Sequence, residues 1–299
     1  MSTTIPNAHV EAFRATVLFT AQQRGSRLRG TLIEEDVIGK QGNAERIGSV
    51  NMQQKTARHA DVPLISTPHS RRRVPIKDWQ IRDLEDDEDR LKVIINAQTA
   101  YATAFGYAAG RKYDEEILAG LVGTAIDGDG ASVLFDAGNS PSLDLGGAAA
   151  VLDVGMLVDA KTRMIENGVD PMETLHIAIG GAGMRDLMYG TASPFVAGVP
   201  TIVNSDYAGF KALQEGSIHD FMGFRWHILH DALLPAVAAS TDQYIVVYSE
   251  FGGQLGNQKN ASVKIERIPE KNAEQILLTS SFGVVRTDEA RVARIRIAT

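Results

Sequence analysis

The sequence contains no cysteine. This absence excludes a disulfide framework, a thiolate zinc site and a cysteine nucleophile, and with them several classes of small secreted domain and enzyme. The chain also lacks a basic and apolar leader over residues 1–10, and it has no apolar run long enough to cross a membrane. We therefore expect a protein that is made in the cytoplasm and has no membrane contact.

Large apolar residues are scarce between residues 24 and 79, although the whole chain is 44% hydrophobic, a normal value for a globular protein. Such a segment cannot bury a core of its own, yet it contains too many β-branched residues for plain disorder. A long hairpin or arm that lies on another surface fits best. Because so long a loop is improbable within one compact domain, we expect that surface to belong to another chain.

Charge is distributed unevenly along the chain, whose formal total is −7. Residues 1–80 carry 12 Lys and Arg against 7 Asp and Glu, whereas residues 81–299 carry 18 against 30. Opposite net charges in two parts of a chain favour self-association through complementary patches. A solvated basic face is an equally good interpretation.

Helical periodicity is clearest over residues 84–109, which begin with five consecutive acids. We expect Gly110 to end or kink this helix, and a shorter helix to follow at 114–123. The rest of the chain reads as a compact α/β unit followed by antiparallel strands. The pattern predicts helices over 148–167 and 205–214, strands over 175–179, 200–203, 224–229 and 244–248, and further strands between 263 and 297.

A glycine-rich turn, Gly180–Gly183, follows the predicted strand 175–179 and could cradle a phosphate. Gly181 and Gly183 give the G-x-G part of a dinucleotide fingerprint, but Asp186 occupies the place of its third glycine. A carboxylate there would lie close to a bound pyrophosphate. A tight turn is therefore the favoured interpretation, and a nucleotide-binding enzyme that uses this turn is the lesser alternative.

Other candidate chemical sites are incomplete. The segment Asp127–Gly130 resembles the start of a calcium loop, but it lacks the later oxygen ligands. His227 and His230 could ligate a metal, yet positions three apart in a strand point to opposite faces. No G-x-S-x-G elbow is present. We therefore expect no enzymatic activity, no cofactor and no metal.

Four stretches of the chain carry a likeness to a known family. Together they resemble the major capsid proteins of tailed bacteriophages, which have the Hong Kong 97-type fold. The likeness covers the passage from the E-loop into the spine helix, the segment after that helix, the A-domain run and the last P-domain strands. The stretches are Pro68–Val74 with the acids and predicted helix that follow, Arg111–Leu118, Leu213–Pro235, and Ser281–Ile295.

The resemblance implies an α+β chain in four parts. Residues 1–24 correspond to an N-terminal arm and 25–78 to the E-loop. Residues 79–138 and 260–299 correspond to the P-domain with its long spine helix, and 139–259 to the A-domain. Such a division would explain why the early part of the chain lacks a core.

The resemblance further implies a structural major capsid protein of the virion. Copies would self-assemble in the bacterial host cytoplasm into an icosahedral head shell that encloses phage double-stranded DNA. The implied partners are copies of the chain as hexamers and pentamers, a portal protein, scaffolding or cement proteins, and DNA held on the inner face without sequence specificity. An encapsulin-like compartment shell, which has the same fold but encloses a cargo enzyme, is the nearest alternative.

Charged residues near the predicted helix are candidates for contacts between subunits. In the family, the E-loop of one subunit lies across the spine of the next, so basic residues of the loop could face acids of a neighbour. The hypothesis concerns the basic residues Arg71, Arg72 and Arg73 and the acidic residues Glu85, Asp86, Asp87, Glu88 and Asp89.

Overall fold

A computed structural model of the chain describes residues 22–58, 61–62, 64–86, 97–147, 150–189, 220–238, 240–271 and 273–298. The predicted strand at 200–203 and the predicted helix at 205–214 lie outside these residues. The described helices are α1 (Ala97–Val122), α2 (Val154–Glu166) and α3 (Gly181–Tyr189). None of them is long and apolar enough to cross a membrane.

The described strands form three sheets. Their bounds are β1 (Ile33–Asp36), β2 (Gln41–Ile47), β3 (His69–Pro75), β4 (Lys77–Asp86), β5 (Ala125–Asp127), β6 (Ser132–Val133), β7 (Asp144–Gly146), β8 (Leu175–Ile179), β9 (Asp220–Phe221), β10 (Phe224–Ile228), β11 (Gln243–Ser249), β12 (Gly253–Ile268), β13 (Ala273–Arg286) and β14 (Val292–Ile297).

The described residues divide into two compact units. The smaller unit takes its residues from 1–26, 78–112 and 259–281, and the larger unit takes the rest. Both units are defined by contacts within one chain. The predicted division into arm, E-loop, P-domain and A-domain refers to places in an assembly, and it stays a prediction.

The core of the larger unit is a six-stranded sheet in the order β7-β14-β11-β8-β10-β9. Its central strand β8 is buried at every position, as expected for a short apolar run covered on both faces. β8 runs parallel to β10 and antiparallel to β11. The helix α2 packs Leu157, Ala160 and Met164 into this core. The predicted strands at 175–179, 224–229 and 244–248 are thus present within one or two residues.

A second sheet of the larger unit contains the predicted hairpin. β2 and β3 pair antiparallel from Gln41 opposite Pro75 to Ile47 opposite His69. β3 also pairs antiparallel with β5, and β5 pairs antiparallel with β6. Ala44 and Val74 are buried with Ala125 and Val285. The base of the hairpin therefore has a small core within its own chain, which the composition of residues 24–79 did not predict.

The third sheet has the strand order β1-β12-β13-β4. β1 runs parallel to β12, with Ile33 opposite Gln254 and Asp36 opposite Asn257. β13 is continuously buried from Phe282 to Arg286, where it belongs to the larger unit. The aromatic ring of Phe282 stacks on that of Tyr113, with the ring centroids 3.8 Å apart.

The smaller unit combines parts of β4, β12 and β13 with the first half of α1. The ammonium group of Lys112 lies 4.2 Å from the ring centroid of Trp79, a cation–π distance. The hydroxyl of Ser281 donates to Asp78 at 2.5 Å. These contacts connect residues of β4 to the helix and to β13.

The helix prediction over 84–109 is wrong at both ends. Residues 84–86 are the end of β4, and α1 runs through Gly110 to Val122, so the predicted second helix at 114–123 is its continuation. Gly110 serves close packing instead, because a Cβ there would lie 2.4 Å from the backbone carbon of Gly25. A glycine within a helix can thus mark a crossing chain as well as a helix end.

Gly283 provides a test of the packing of β13. A Cβ at this position would lie 1.7 Å from the carbonyl oxygen of Pro75, so Gly283→Ala must displace backbone. We expect the free energy of unfolding of the unassembled subunit to fall by about 3 kcal/mol, as for other overpacked core sites. Chemical denaturation measures this change.

Gly106→Ala is the matched control. Gly106 lies in α1, and a Cβ added to it would meet no atom of the described residues outside its own helix within 4 Å, so alanine should stabilise the helix by up to about 1 kcal/mol. Equal changes in the free energy of unfolding for Gly283→Ala and Gly106→Ala would contradict the close approach between β13 and the end of β3.

Candidate assembly surface

The segment that joins β2 to β3, residues 48–68, exposes large apolar side chains and is called the hairpin tip below. Met52 and Leu64 are fully exposed, and Val62 is 89% exposed. Its described residues form no strand or helix. Burying one such side chain is worth roughly 1.5–3 kcal/mol, so the tip offers a substantial surface to a partner.

The base of the hairpin is held to the C-terminal part of the chain by ion pairs. Glu289, only 7% exposed, lies at the centre of this cluster. Its carboxylate accepts from Arg46 of β2 at 3.2 Å and from Arg72 of β3 at 3.0 Å. Arg72 also pairs with Asp127 of β5 at 3.0 Å. The hairpin is therefore fixed by charges at its base.

Arg286 extends this cluster into the core. Its guanidinium is fully buried and donates to the carbonyl oxygens of Leu121 at 2.8 Å and Gly123 at 2.6 Å, at the end of α1. It also donates to the carbonyl oxygen of Leu134 at 3.0 Å and lies 3.8 Å from Glu289. The bond to Leu121 satisfies a carbonyl group that the end of a helix leaves without a partner.

Burial and the neighbouring carboxylate of Glu289 shift the pKa of Arg286 in opposite directions. Burial lowers the pKa of its guanidinium from the ordinary value, and the neighbouring carboxylate of Glu289 offsets part of that effect. An arginine is nevertheless charged at any physiological pH. The site therefore holds a permanent buried cation, which explains why a nearly buried Glu289 is tolerated beside it.

The three arginines of the sequence hypothesis have different surroundings. Arg71 forms an exposed pair with Glu45 at 3.2 Å, and its side chain is 53% exposed. Arg72 is 5% exposed and has both its acidic partners in its own chain. Arg73 donates to the carbonyl oxygen of Gly128 at 2.5 and 3.1 Å. Arg72 thus has a structural role that sequence reasoning missed.

The acids of the same hypothesis are only partly described. Glu85 is partly buried near the end of β4, and Asp86 is the last residue of that strand. Asp87, Glu88 and Asp89 lie outside the described residues. A contact between these acids and the arginine run of another subunit stays a prediction.

The turn Gly180–Gly183 leads into α3, as a phosphate-binding turn would. A carboxylate already lies at this helix start, however. Asp231 accepts from the amide of Ala182 at 3.3 Å, and a Cβ on Gly180 would collide with the same carboxylate. Because the positive end of the helix already faces an anion, the tight-turn interpretation is the stronger one.

His227 and His230 do not act together. His230 accepts from the amide of Ala232 at 3.2 Å, whereas His227 meets His176 of the neighbouring strand, with Nδ1 of His176 3.0 Å from Nε2 of His227. His176 also stacks on Tyr248. Over the described part of the chain, no group of three or more His, Cys, Asp or Glu side chains could hold a metal ion.

The segment Asp127–Gly130 comprises the last residue of β5 and the start of the turn that leads to β6. Asp127 pairs with Arg72, and the carbonyl oxygen of Gly128 accepts from Arg73. These two residues of the suspected calcium loop are therefore already engaged with the hairpin. Arg72 pairs with Asp127 and with Glu289, which lies 217 positions away in the sequence. Nothing in the sequence near Arg72 indicates either pairing.

Comparison with known proteins gives a family and a fold. A family model described as phage capsid protein matches residues 5–299. The solved capsid of the cyanophage P-SCSP1u gives a TM-score of 0.70 at 14% identity and covers 97% of this chain and 93% of its own. A comparison with curated protein sequences finds no significant match.

Two further capsids show the same likeness. The capsid of Ralstonia phage GP4 gives a TM-score of 0.68 at 9% identity and covers 100% of this chain and 98% of its own. The mature capsid of bacteriophage PhiM1 gives a TM-score of 0.67 at 13% identity and covers 97% of this chain and 92% of its own. The predicted α+β fold of the Hong Kong 97 type is thereby confirmed.

Arg72 and Arg71 allow a direct comparison of a buried and an exposed ion pair. Arg72→Met leaves two carboxylates with fewer partners, so we expect the free energy of unfolding to fall by about 3 kcal/mol. Arg71→Met should change it by less than about 1 kcal/mol. Denaturant titration of the unassembled subunit measures both, and a larger loss at Arg71 would contradict the cluster around Glu289.

The histidine pair predicts a pH dependence of stability. Burial lowers the pKa of His176 to about 4, and His227 and Arg225 act in the same direction. Burial also lowers the pKa of His227, against an opposing effect of Asp114. The pKa of each histidine is lower in the folded state than in the unfolded chain. The contribution of the pair to the free energy of unfolding is therefore fully present above about pH 6.5 and is lost as the pH falls towards 4.

The loss attributable to His176 should reach up to about 3 kcal/mol at pH 4. Thermal or chemical unfolding between pH 7 and pH 4 measures it, and carboxylates contribute a background in the same range. The variant with both histidines replaced, His176→Gln with His227→Gln, should lose less stability over this range. Identical slopes for the two proteins would exclude the histidine pair as a cause.

Proposed function

This chain belongs to the phage capsid protein family and is a structural subunit of a phage capsid; on that premise we propose how its copies close into a shell. The shell is icosahedral, is built from hexamers and pentamers, and encloses double-stranded DNA. Self-association is the property on which the rest of the proposal depends. Closed symmetry requires that each subunit present the same pair of complementary surfaces.

A contrast within the hairpin is the main support for this proposal. Its base is anchored by Arg46 and Arg72 to Glu289, whereas the tip leaves Met52, Val62 and Leu64 exposed. Covering these three side chains with a partner would remove large apolar surface from water, which favours association. The tip is therefore the part of the subunit that a neighbouring copy covers.

Anchoring at the base has a consequence for affinity. A loop held by buried ion pairs keeps its position in the free subunit, so less ordering entropy is lost when the tip binds. Each subunit gives one tip and receives another, and these contacts repeat around a ring. Many weak contacts then add up to a stable shell without any single tight interface.

The arginine run and the acids contribute to the same boundary under this proposal. Arg71 is the most suitable of the three for contact with a neighbour, because its side chain is 53% exposed and its partner Glu45 is exposed as well. Arg73 and the acids Glu85–Asp89 are further candidates. The four-part division into arm, E-loop, P-domain and A-domain describes where these residues would lie in the shell.

The remaining proposed partners are those that a phage head needs for assembly and for DNA packaging. A portal protein supplies the entry for DNA, scaffolding or cement proteins assist closure or strengthen the shell, and DNA contacts the inner face without sequence readout. Assembly takes place in the host cytoplasm. The contents of particles recovered from infected cells test this part: DNA with portal protein supports a virion shell, and a single cargo enzyme supports an encapsulin-like compartment.

The tip residues provide the main test. The double variant Met52→Ser with Leu64→Ser should leave the subunit folded, with a free energy of unfolding within about 0.5 kcal/mol of the wild type, because both side chains are already exposed. It should form few or no particles. Sedimentation velocity and negative-stain electron microscopy measure particle yield.

Met172→Ser is the matched control, because Met172 is 89% exposed but lies outside the hairpin. This variant should assemble like the wild type. Normal particle yield from the tip variant would show that the hairpin tip is not an assembly contact, and a stable wild-type monomer under all conditions would contradict the proposed function itself.

A further inference from the structure

The long strand β12 is paired on both sides for only part of its length. β1 lies beside it from Gln254 to Asn257. Beyond that point, in residues 258–268, the described strands include a neighbour on one side only, which is β13. This stretch is therefore an edge of the sheet within the part of the chain that the structure describes.

The exposed edge has an apolar centre. Val263 is 40% exposed and Ile265 is 47% exposed, and positions two apart in a strand lie on the same face. Charged side chains usually protect a long edge from pairing, and Lys264 and Glu266 flank Ile265 here, so this edge suits only a partner strand that places opposite charges against them. A long edge with apolar residues at its centre marks a surface for strand pairing.

The sequence of this edge is complementary to itself. If two copies pair antiparallel with Ile265 opposite Ile265, then Lys264 of each copy lies opposite Glu266 of the other. Val263 then lies opposite Arg267, whose aliphatic stem can cover it. Directly opposed unlike charges stabilise an antiparallel pair, and the arrangement supplies two such pairs by symmetry.

Neighbouring registers are less favourable. Centring the pair on Lys264 places the two lysines opposite each other, and centring it on Glu266 places the two glutamates opposite each other. Like charges directly opposed destabilise a strand pair. The pattern of charges therefore selects the register centred on Ile265 over the two centred on its neighbours.

We propose that the edge formed by residues 262–268 of β12 pairs antiparallel with the same strand of a second copy, across a twofold axis through Ile265. The two sheets then continue into one another. This inference rests on the proposed function, in which the chain assembles with copies of itself, and it adds an isologous contact to the contact made by the hairpin tip.

Single cysteines test the register, because the chain has no cysteine of its own. Opposed residues of an antiparallel pair have Cα atoms about 4.5–5.5 Å apart, which suits a disulfide. Particles of Ile265→Cys should therefore give covalent dimers after mild oxidation, as measured by non-reducing electrophoresis.

Val263→Cys is the matched control. In the proposed register the two copies of position 263 are offset by four residues, or about 13 Å along the strands, so they cannot form a disulfide. Its dimer yield should be at least tenfold lower than that of Ile265→Cys. Equal yields at the two positions would overturn the proposed register.

A charge exchange provides a second, independent test. In the Ile265→Cys background, Lys264→Glu or Glu266→Lys alone places like charges opposite each other and should reduce dimer yield. The double variant with both changes restores unlike pairs and should recover it. Recovery in the double variant supports the pairing, and failure to recover while particles still form overturns it.

Failure of the strand pairing is distinguishable from failure of the proposed function. Particles that form normally but give no dimer from Ile265→Cys overturn the strand pairing and leave the capsid function intact. If the wild-type chain formed no particles, the proposed function would fail. Oxidation of the free Ile265→Cys chain would then decide the pairing, with absence of dimer counting against it.

Discussion

The buried guanidinium of Arg286 is the interaction on which the rest of the larger unit depends. It donates to carbonyl oxygens at the end of α1 and after β6, and it lies beside Glu289. A buried cation without partners would cost several kcal/mol, so these elements must stay together while the arginine stays buried. Glu289 extends the constraint to the hairpin through Arg46 and Arg72.

A subunit that assembles must fold alone and still present surfaces that are complete only in the assembly. We propose that the hairpin meets both requirements. Its base contributes Ala44 and Val74 to a small core of the same chain, whereas its tip contributes exposed Met52 and Leu64. The edge of β12 repeats this division, since β1 covers its first part and leaves Ile265 exposed. Under the two proposals, stability and assembly use different parts of the hairpin and of β12.

Sequence reasoning predicted the fold where local pattern decides it. The apolar run Leu175–Ile179 is β8, and the order of elements supported the capsid resemblance, which the family match confirms. It was wrong at residues 84–86, which belong to β4, and at Gly110, where the helix continues; Gly110 packs against the backbone of Gly25, and no local pattern reveals such a crossing. It also missed the role of Arg72, because Glu289 lies 217 positions away. Ion pairs between distant residues leave no periodic signal, whereas apolar faces do.

Hydrogen exchange of the hairpin before and after assembly provides the sharpest test of this division between base and tip. Amides of β2 and β3 should be protected in the free subunit, because the base is folded within its own chain. Amides of the tip, in residues 49–58 and 64–67, should exchange rapidly in the free subunit and become protected only in particles, whereas the amide of Gly48 already donates to the carbonyl oxygen of Pro68. A tip that is equally protected in both states, or that stays unprotected in particles, would contradict the proposal that a neighbouring copy completes it.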